Sequence, residues 1–438
     1  MITIGGVIGA GLFVGSGAVI HSTGPGAIIS YCLAGALVVL VMRMLAEMAV
    51  VSPSSGSFAV YASEALGPWA GYAVGWLYWY FWVVVIAFEA TAGAATINQL
   101  IPGIPVWFTC VALTAIFTIT NMLSVKTFGE FEYWFALIKV STIIAFLAIG
   151  AAVIFGLFPG TDSPGLSNFT GRGGFLPHGW SAVATGIITV IFSFVGIEIV
   201  AIAAAETADP AKSVKMAINT VVWRILLFYI GSIAVVAFIL PWDSAQILKS
   251  PFVSVLESVG IPIAGTIMTF VVLTAVLSCL NSGLYTTSRI IYGIAENGEA
   301  PKIFKKVNKA GVPIAALLVS AVGALVAGVF NYISPEVVFS FLLNASGAVA
   351  LVVYTVICVS HIVKRRQAER EGRELPVKMW GFPYLTYVAI AGMLYVLVGM
   401  VLNPDMRTQV ITSGIVLLVI LATYPLFKRS KEKAEGGV

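Results

Sequence analysis

Runs of about twenty apolar residues, the length that crosses a bilayer as a helix, recur along the whole of this chain and leave little room for any other fold. Of its 438 residues 59% are hydrophobic and only 10% charged, whereas an ordinary soluble domain carries roughly 25% charged residues. Mean hydropathy is +0.99. Twelve spans are predicted, over residues 1–20, 27–51, 70–97, 105–123, 132–158, 181–205, 217–240, 261–287, 312–330, 335–361, 380–402 and 408–427. Pro, Gly and polar clusters such as SPSSGS at 52–57 and PGTDSPG at 159–165 separate them. The fold class that follows is all-α: a polytopic membrane protein of 12 transmembrane helices. The net charge of +4 is spread too thinly to track nucleic acid, and no soluble domain, low-complexity segment or cleavable signal peptide is evident. Cys32, Cys110, Cys279 and Cys358 lie in apolar runs without a CxxC pair and read as small core residues. No cofactor or metal is expected.

Charge sets the orientation. If the C-terminal KRSKEK faces the cytoplasm, the inner loops and span ends hold twenty of the 24 Lys and Arg residues. Arg172, Lys249 and Arg407 then fall outside, and Lys139 sits within a span. Such asymmetry places both termini in the cytoplasm.

Two breaks interrupt this apolar pattern in matching places. IGGVIGAGLF (Ile4 to Phe13) puts four glycines in the first span, and FSFVGIE (Phe192 to Glu198) puts one in the sixth. Glycine weakens a helix by about 1 kcal/mol, and freed backbone groups survive at membrane depth only where they are buried in protein or line a cavity. Breaks in corresponding places of two halves point to a transporter's substrate site. Spans 1–5 and 6–10 form two such units. Five being odd, the second enters the membrane from the opposite side. The expected organisation is a first five-helix repeat at 1–158, an outer loop and second inverted repeat at 159–361, and helices 11–12 with a cytoplasmic tail at 362–438. As an unbroken helix, residues 1–20 would cover at most about 30 Å. A longer amino-terminal segment is therefore expected before this start, or Met1 is an internal methionine.

The unwound backbone at Gly9, Ala10 and Gly11 exposes N–H groups at the start of a new half-helix, which suits a carboxylate. Spacings Gly5/Gly9 and Gly11/Gly15 also fit GxxxG helix packing. The break at Ser193–Gly196 offers free carbonyls for an ammonium group, so the pair describes a site for a zwitterion. The GxG here is no dinucleotide fingerprint, since Val14 stands where the third glycine belongs. Ionisable residues within spans are functional candidates by default. Lys139 lies about two turns into span 5 and either serves function or snorkels to the inner surface. No further carboxylate nearby in sequence is expected to neutralise it. Glu198 and Glu89 either carry protons or pair with neighbouring helices. Arg43 and Glu47, four apart, are expected to form a structural ion pair. Without HExxH or GxSxG, an intramembrane hydrolase lacks its usual parts.

The stretch STGPGAIISYCLAGALVVLVMRMLAEMAVVSP at 22–53 is similar to the signature of bacterial amino-acid permeases, including Ala46-Glu47 and Pro53. The likeness continues through FGEFEYWFALIKV, FSFVGIEIVAIAAAETADP and LSCLNSGLYTTSR and covers essentially the whole chain. It resembles the amino acid transporter family of the amino acid–polyamine–organocation superfamily, and within it the bacterial permeases for 4-aminobutyrate (GABA). The resemblance implies the inverted-repeat fold first seen in a sodium-coupled leucine transporter. By similarity to the arginine–agmatine antiporter, Gly9, Ala10 and Gly11 stand where a GSG holds the substrate carboxylate. Ala10 loses one hydroxyl donor and keeps the backbone donors. Phe192-Ser193-Phe194-Val195-Gly196-Ile197-Glu198 matches its WSFIGVE. Phe192 thus replaces a gating tryptophan, and the carbonyls of Val7, Phe192 and Val195 match the amine acceptors. Lys139 resembles a lysine that stands where sodium-coupled relatives bind an ion, which implies proton coupling.

Together these readings describe a secondary active permease for proton-coupled uptake of GABA across the bacterial inner membrane by alternating access. Its partners would be the amino-acid substrate, protons and the lipid bilayer. Substrate-binding candidates are Val7, Gly9, Ala10, Gly11, Phe192, Ser193 and Val195. Phe192 is the gate, and Lys139, Glu198 and Glu89 are candidates for proton coupling. The alternatives are a permease for proline, β-alanine, histidine or another neutral amino acid, and a channel.

Overall fold

The computed structural model describes residues 8–52, 57–123, 125–194, 196–198, 210–248 and 250–435. Val7 and Val195 lie outside the described residues, as does the side chain of Phe192. The helices of eight residues or more are α1 (Gly15–Thr23), α2 (Ala27–Val51), α3 (Ser57–Leu66), α4 (Pro68–Leu100), α5 (Val106–Leu123), α6 (Val125–Ile154), α7 (Gly179–Phe194), α8 (Pro210–Arg224), α9 (Ser232–Ile239), α10 (Pro251–Ser258), α11 (Pro262–Glu296), α12 (Ile314–Ile333), α13 (Pro335–Arg370), α14 (Tyr384–Leu402) and α15 (Pro404–Glu435). A single turn, Ala10–Phe13, precedes α1, and a π-helical stretch, Ile225–Gly231, joins α8 to α9. No strand occurs among the described residues.

Every predicted span contains an apolar helix, with α8 and α9 sharing one. Among the described residues nine stretches are long and apolar enough to cross a bilayer. The first runs from Ala10 to Val51, and Gly179–Ile191 and Ile314–Phe330 are shorter apolar helices. The chain is a multi-pass membrane protein. Proline opens α4, α10, α11 and α13 within their first turns, where its missing N–H has no helical partner to lose. Some helices outrun the predicted spans. The end at 361 is where apolar character stops, but the KRRQAER that follows is made of strong helix formers, and α13 continues on it to Arg370.

The core lies around α4, the most enclosed span, which packs against α5, α11, α12 and α13. By contrast α15 turns Ile411, Ile415, Leu418 and Val419 outward, as a lipid-facing helix must. Close approach is built from small residues: an added Cβ at Gly323 would meet Val83 at 2.2 Å, and one at Gly150 would meet Val235 at 2.3 Å. Hydroxyls buried at membrane depth bond back to their own helix, as Thr96 does to Ala92, Thr114 to Cys110 and Ser320 to Ala316.

Two local expectations are corrected here. Glu47 is not the partner of Arg43 in this fold. Its carboxylate accepts Arg365 Nη1 at 2.9 Å and the backbone N–H of Met379, and lies 3.3 Å from His361 Nε2. Arg43 instead donates to the Lys378 carbonyl at 2.8 Å and covers the Trp380 ring at 4.8 Å. A carboxylate only 2% exposed is better served by several fixed donors than by one long neighbour on its own helix, since each lone pair left bare in such a place is costly. Cys32 is no core residue either: it lies exposed on α2, unlike Cys110, Cys279 and Cys358.

Candidate functional site

The first break is a change of backbone direction at Gly9, which is extended (φ −133°, ψ −152°) and hands over to the helical turn Ala10–Phe13. Val14 closes that turn on Ala10, and α1 starts anew at Gly15. The N–H of Ala10, freed by the extended residue before it, donates to both oxygens of the Glu89 carboxylate at 3.1 Å. Glu89 reaches it from the middle of α4 and is 2% exposed. A negative group at a helix start is the favourable sign. Glycine at position 9 leaves room for that carboxylate: a Cβ there would lie 2.4 Å from Glu89 Oε1 and 3.0 Å from Cys279 and would push the carboxylate off the Ala10 N–H.

The second break follows α7. Gly196 sits at φ +97°, a left-handed conformation that a side chain would disfavour, and its N–H donates to Glu198 Oε2 at 2.9 Å. The carboxylate of Glu198 also accepts the hydroxyl of Tyr78 (2.8 Å, α4) and that of Tyr354 (2.9 Å, α13). Three donors from three parts of the chain therefore pin the reversal, and Glu198 is wholly buried among them. Just before it, Phe194 packs on Tyr229 and Tyr31 with ring centroids 4.7 and 6.0 Å away.

One hydrogen bond joins the two breaks. Ser193 Oγ donates to the carbonyl of Gly11 at 2.9 Å. Residues 182 positions apart in sequence thus meet inside the bundle, with Gly9, Ala10, Gly11, Ser193 and Glu89 in one neighbourhood. Lys139 borders it, buried completely, with Glu132, Cys279 and Glu89 facing its ammonium. Its Nζ donates to Ser278 Oγ at 3.0 Å. Snorkelling does not describe this lysine. Glu198 belongs to a separate cluster with Tyr78 and Tyr354 and is not grouped with Lys139.

Glu132 escaped the sequence reading, which expected no further carboxylate near Lys139. It precedes that lysine by seven residues, two helical turns along the same face, and accepts Ser278 Oγ at 2.9 and 3.1 Å. The spacing was the available signal, masked because Glu132 stands where the apolar run begins. Tyr78 and Tyr354 carry no comparable signal, being two aromatics among many in apolar runs. No cluster of three or more His, Cys, Asp or Glu side chains suited to a metal occurs among the described residues.

Broken helices meeting inside an apolar bundle are the arrangement of secondary transporters, and comparison with known proteins narrows the class. The amino acid permease family model matches residues 1–435, and the chain belongs to that family. A gamma-aminobutyric acid permease of Bacillus subtilis is 57% identical over 437 residues, covering 99% of this chain and 93% of the relative. The gamma-aminobutyric acid permease of Escherichia coli is 45% identical over 433 residues, with 99% and 93% covered. An aromatic amino acid transport protein of Corynebacterium glutamicum is 41% identical over 431 residues, with 96% and 92% covered. Among solved structures, a manganese transporter of Eremococcus coleocola superposes with a TM-score of 0.56 at 12% identity, over 97% of this chain and 91% of that one. That likeness concerns the fold alone.

Proposed function

We propose that this amino-acid permease takes up 4-aminobutyrate together with protons across the bacterial inner membrane, with both termini in the cytoplasm. The observation that carries the substrate is the 57% identity, over 99% of the chain, to a permease named for gamma-aminobutyric acid. Twelve spans form two inverted five-helix repeats, 1–158 and 159–361, followed by the last two helices at 362–438, and the site lies between the repeats. The substrate carboxylate docks on the backbone at Gly9, Ala10 and Gly11. Its ammonium goes to the carbonyls of Val7, Phe192 and Val195 beside Ser193, and Phe192 closes the site.

Glu89 gives this arrangement a reason to use protons. Its carboxylate takes the Ala10 N–H, the donor that the substrate carboxylate needs. Two anions sharing one donor in a buried site repel strongly. A proton on Glu89 removes that conflict and frees the donor, so the substrate enters with its proton. Lys139, facing Glu89, supplies an exchangeable positive charge at the place where sodium-coupled relatives hold an ion.

In proteoliposomes, uptake of labelled 4-aminobutyrate is expected to follow an inward pH gradient and to be indifferent to replacing sodium with potassium or choline. Competition by proline, β-alanine, histidine and aromatic amino acids identifies the preferred substrate. A strict sodium requirement overturns the coupling, and stronger competition by any of these over unlabelled 4-aminobutyrate overturns the substrate. Gly11→Leu tests the placement of the site: the variant is expected to insert and fold but to lose substrate-induced thermal stabilisation, because leucine fills the carboxylate position. Stabilisation equal to the parent's moves the site elsewhere.

A further inference from the structure

We infer that Glu132 is the proton's next station after Lys139 and receives it through the hydroxyl of Ser278; the inference rests on the proton-coupled reading above. The three side chains are wholly buried and form an unbroken chain. Lys139 Nζ donates to Ser278 Oγ at 3.0 Å, and Ser278 Oγ donates to Glu132, 2.9 Å from Oε2 and 3.1 Å from Oε1. Two turns of α6 separate the charged groups by about 10 Å along the axis at their Cα positions, and Ser278 of α11 fills the space between the side chains.

The hydroxyl is oriented as acceptor from the ammonium and donor to the carboxylate, which is what a handover requires. An N–H bond of Lys139 breaks as an O–H bond forms on Ser278. The original O–H of Ser278 breaks as another forms on Glu132. An ammonium and a carboxylate become an amine and a carboxylic acid, with no net charge created or lost. Separated charge is what a low-dielectric interior penalises most, and this step discharges both groups together. Rotation of the Ser278 hydroxyl resets the chain.

Few other titratable groups border this chain, and Glu89 is the one on the substrate side. Lys139 faces Glu132, Glu89 and the Cys279 thiol, while among the described residues the charge facing Glu132 is that of Lys139. Of the other elements packed on α6, α9 has no titratable residue. From α5 comes Cys110, held against Thr91, and from the π-helical stretch the phenol of Tyr229. Polar contacts continue beyond Glu132. Asn281, three residues past Ser278 on α11, accepts Asn121 Nδ2 at 2.7 Å. One residue on, the Met122 carbonyl accepts Asn308 Nδ2 at 3.2 Å. This ladder runs toward the end assigned to the cytoplasm, and Glu132 gives up its proton there when that end opens.

The test compares the parent with Glu132→Gln, Ser278→Ala and Ser278→Thr in proteoliposomes, measuring both accumulation driven by a pH gradient and substrate-for-substrate exchange at equal pH. Glu132→Gln and Ser278→Ala are expected to lose about a hundredfold of the rate of gradient-driven uptake, the lower end of what a positioned proton-transfer group contributes, and to flatten its pH profile while exchange persists. Ser278→Thr keeps a hydroxyl and restores accumulation. Accumulation undiminished in Glu132→Gln overturns the inference, and so does exchange falling in step with accumulation in both disabling variants, the pattern of a structural role. A parent that ignores the pH gradient overturns the coupling itself and this station with it, an outcome distinct from either.

Discussion

Lys139→Ala is expected to abolish pH-driven uptake and to lower stability by about 3–5 kcal/mol, the cost of breaking a buried charge pair by removing one partner. Alanine leaves the Glu132 carboxylate buried without the cation that faces it and takes the donor from Ser278. Glu89 loses a compensating charge as well. Some substrate-for-substrate exchange should survive, since exchange needs no net proton movement. Thermal unfolding of the purified protein measures the first effect, and the pH dependence of uptake in proteoliposomes the second. The double variant Lys139→Ala/Glu132→Gln separates them: removing both charges should recover much of the stability but none of the coupling. Parental stability in the single variant would mean that the cluster is held by water or by other cations.

Glu198→Ala is expected to be as damaging for a different reason. It strips the acceptor from two phenols and from the Gly196 N–H, and each buried donor left bare costs about 1–3 kcal/mol. The reversal after α7 then loses its attachment to α4 and α13, so the protein should express poorly and neither bind nor transport. Glu198→Gln retains a carbonyl oxygen for the Gly196 N–H and one phenol, and the other phenol can turn to accept the amide N–H, so this variant should insert, bind substrate and keep its pH dependence. Uptake that becomes flat with pH in Glu198→Gln while Lys139→Ala stays coupled would move the proton to Glu198.

The sequence made one kind of feature legible and hid another. Gly9, Ala10, Gly11 and the FSFVGIE segment stood out because glycine inside an apolar run violates a local rule, and local rules can be read along a chain. Apolar runs located the helices for the same reason. The partners of those features come from tertiary structure. Glu47 found Arg365, 318 residues away, in place of Arg43 one turn away, because a buried carboxylate takes the donors that packing fixes. Ser193 found Gly11, and Glu89 found Ala10, through helix packing that leaves no periodic trace. Glu132 falls between the cases. Its spacing from Lys139 was visible, but a carboxylate at the start of an apolar run reads as the edge of the membrane until α11 is seen to cover it.

Glu47 also has a mechanical meaning. Its carboxylate rivets α2, α13 and the segment before α14 at a single point. By the proposed division α2 belongs to the first repeat, while α13 starts in the second and carries Arg365 just past its end at 361, so the rivet ties the first repeat to the helix that closes the second. If the site opens by the proposed rocking and this joint stays closed, α2 and α13 travel as one lever, and the sliding surfaces lie among the helices that this carboxylate does not hold.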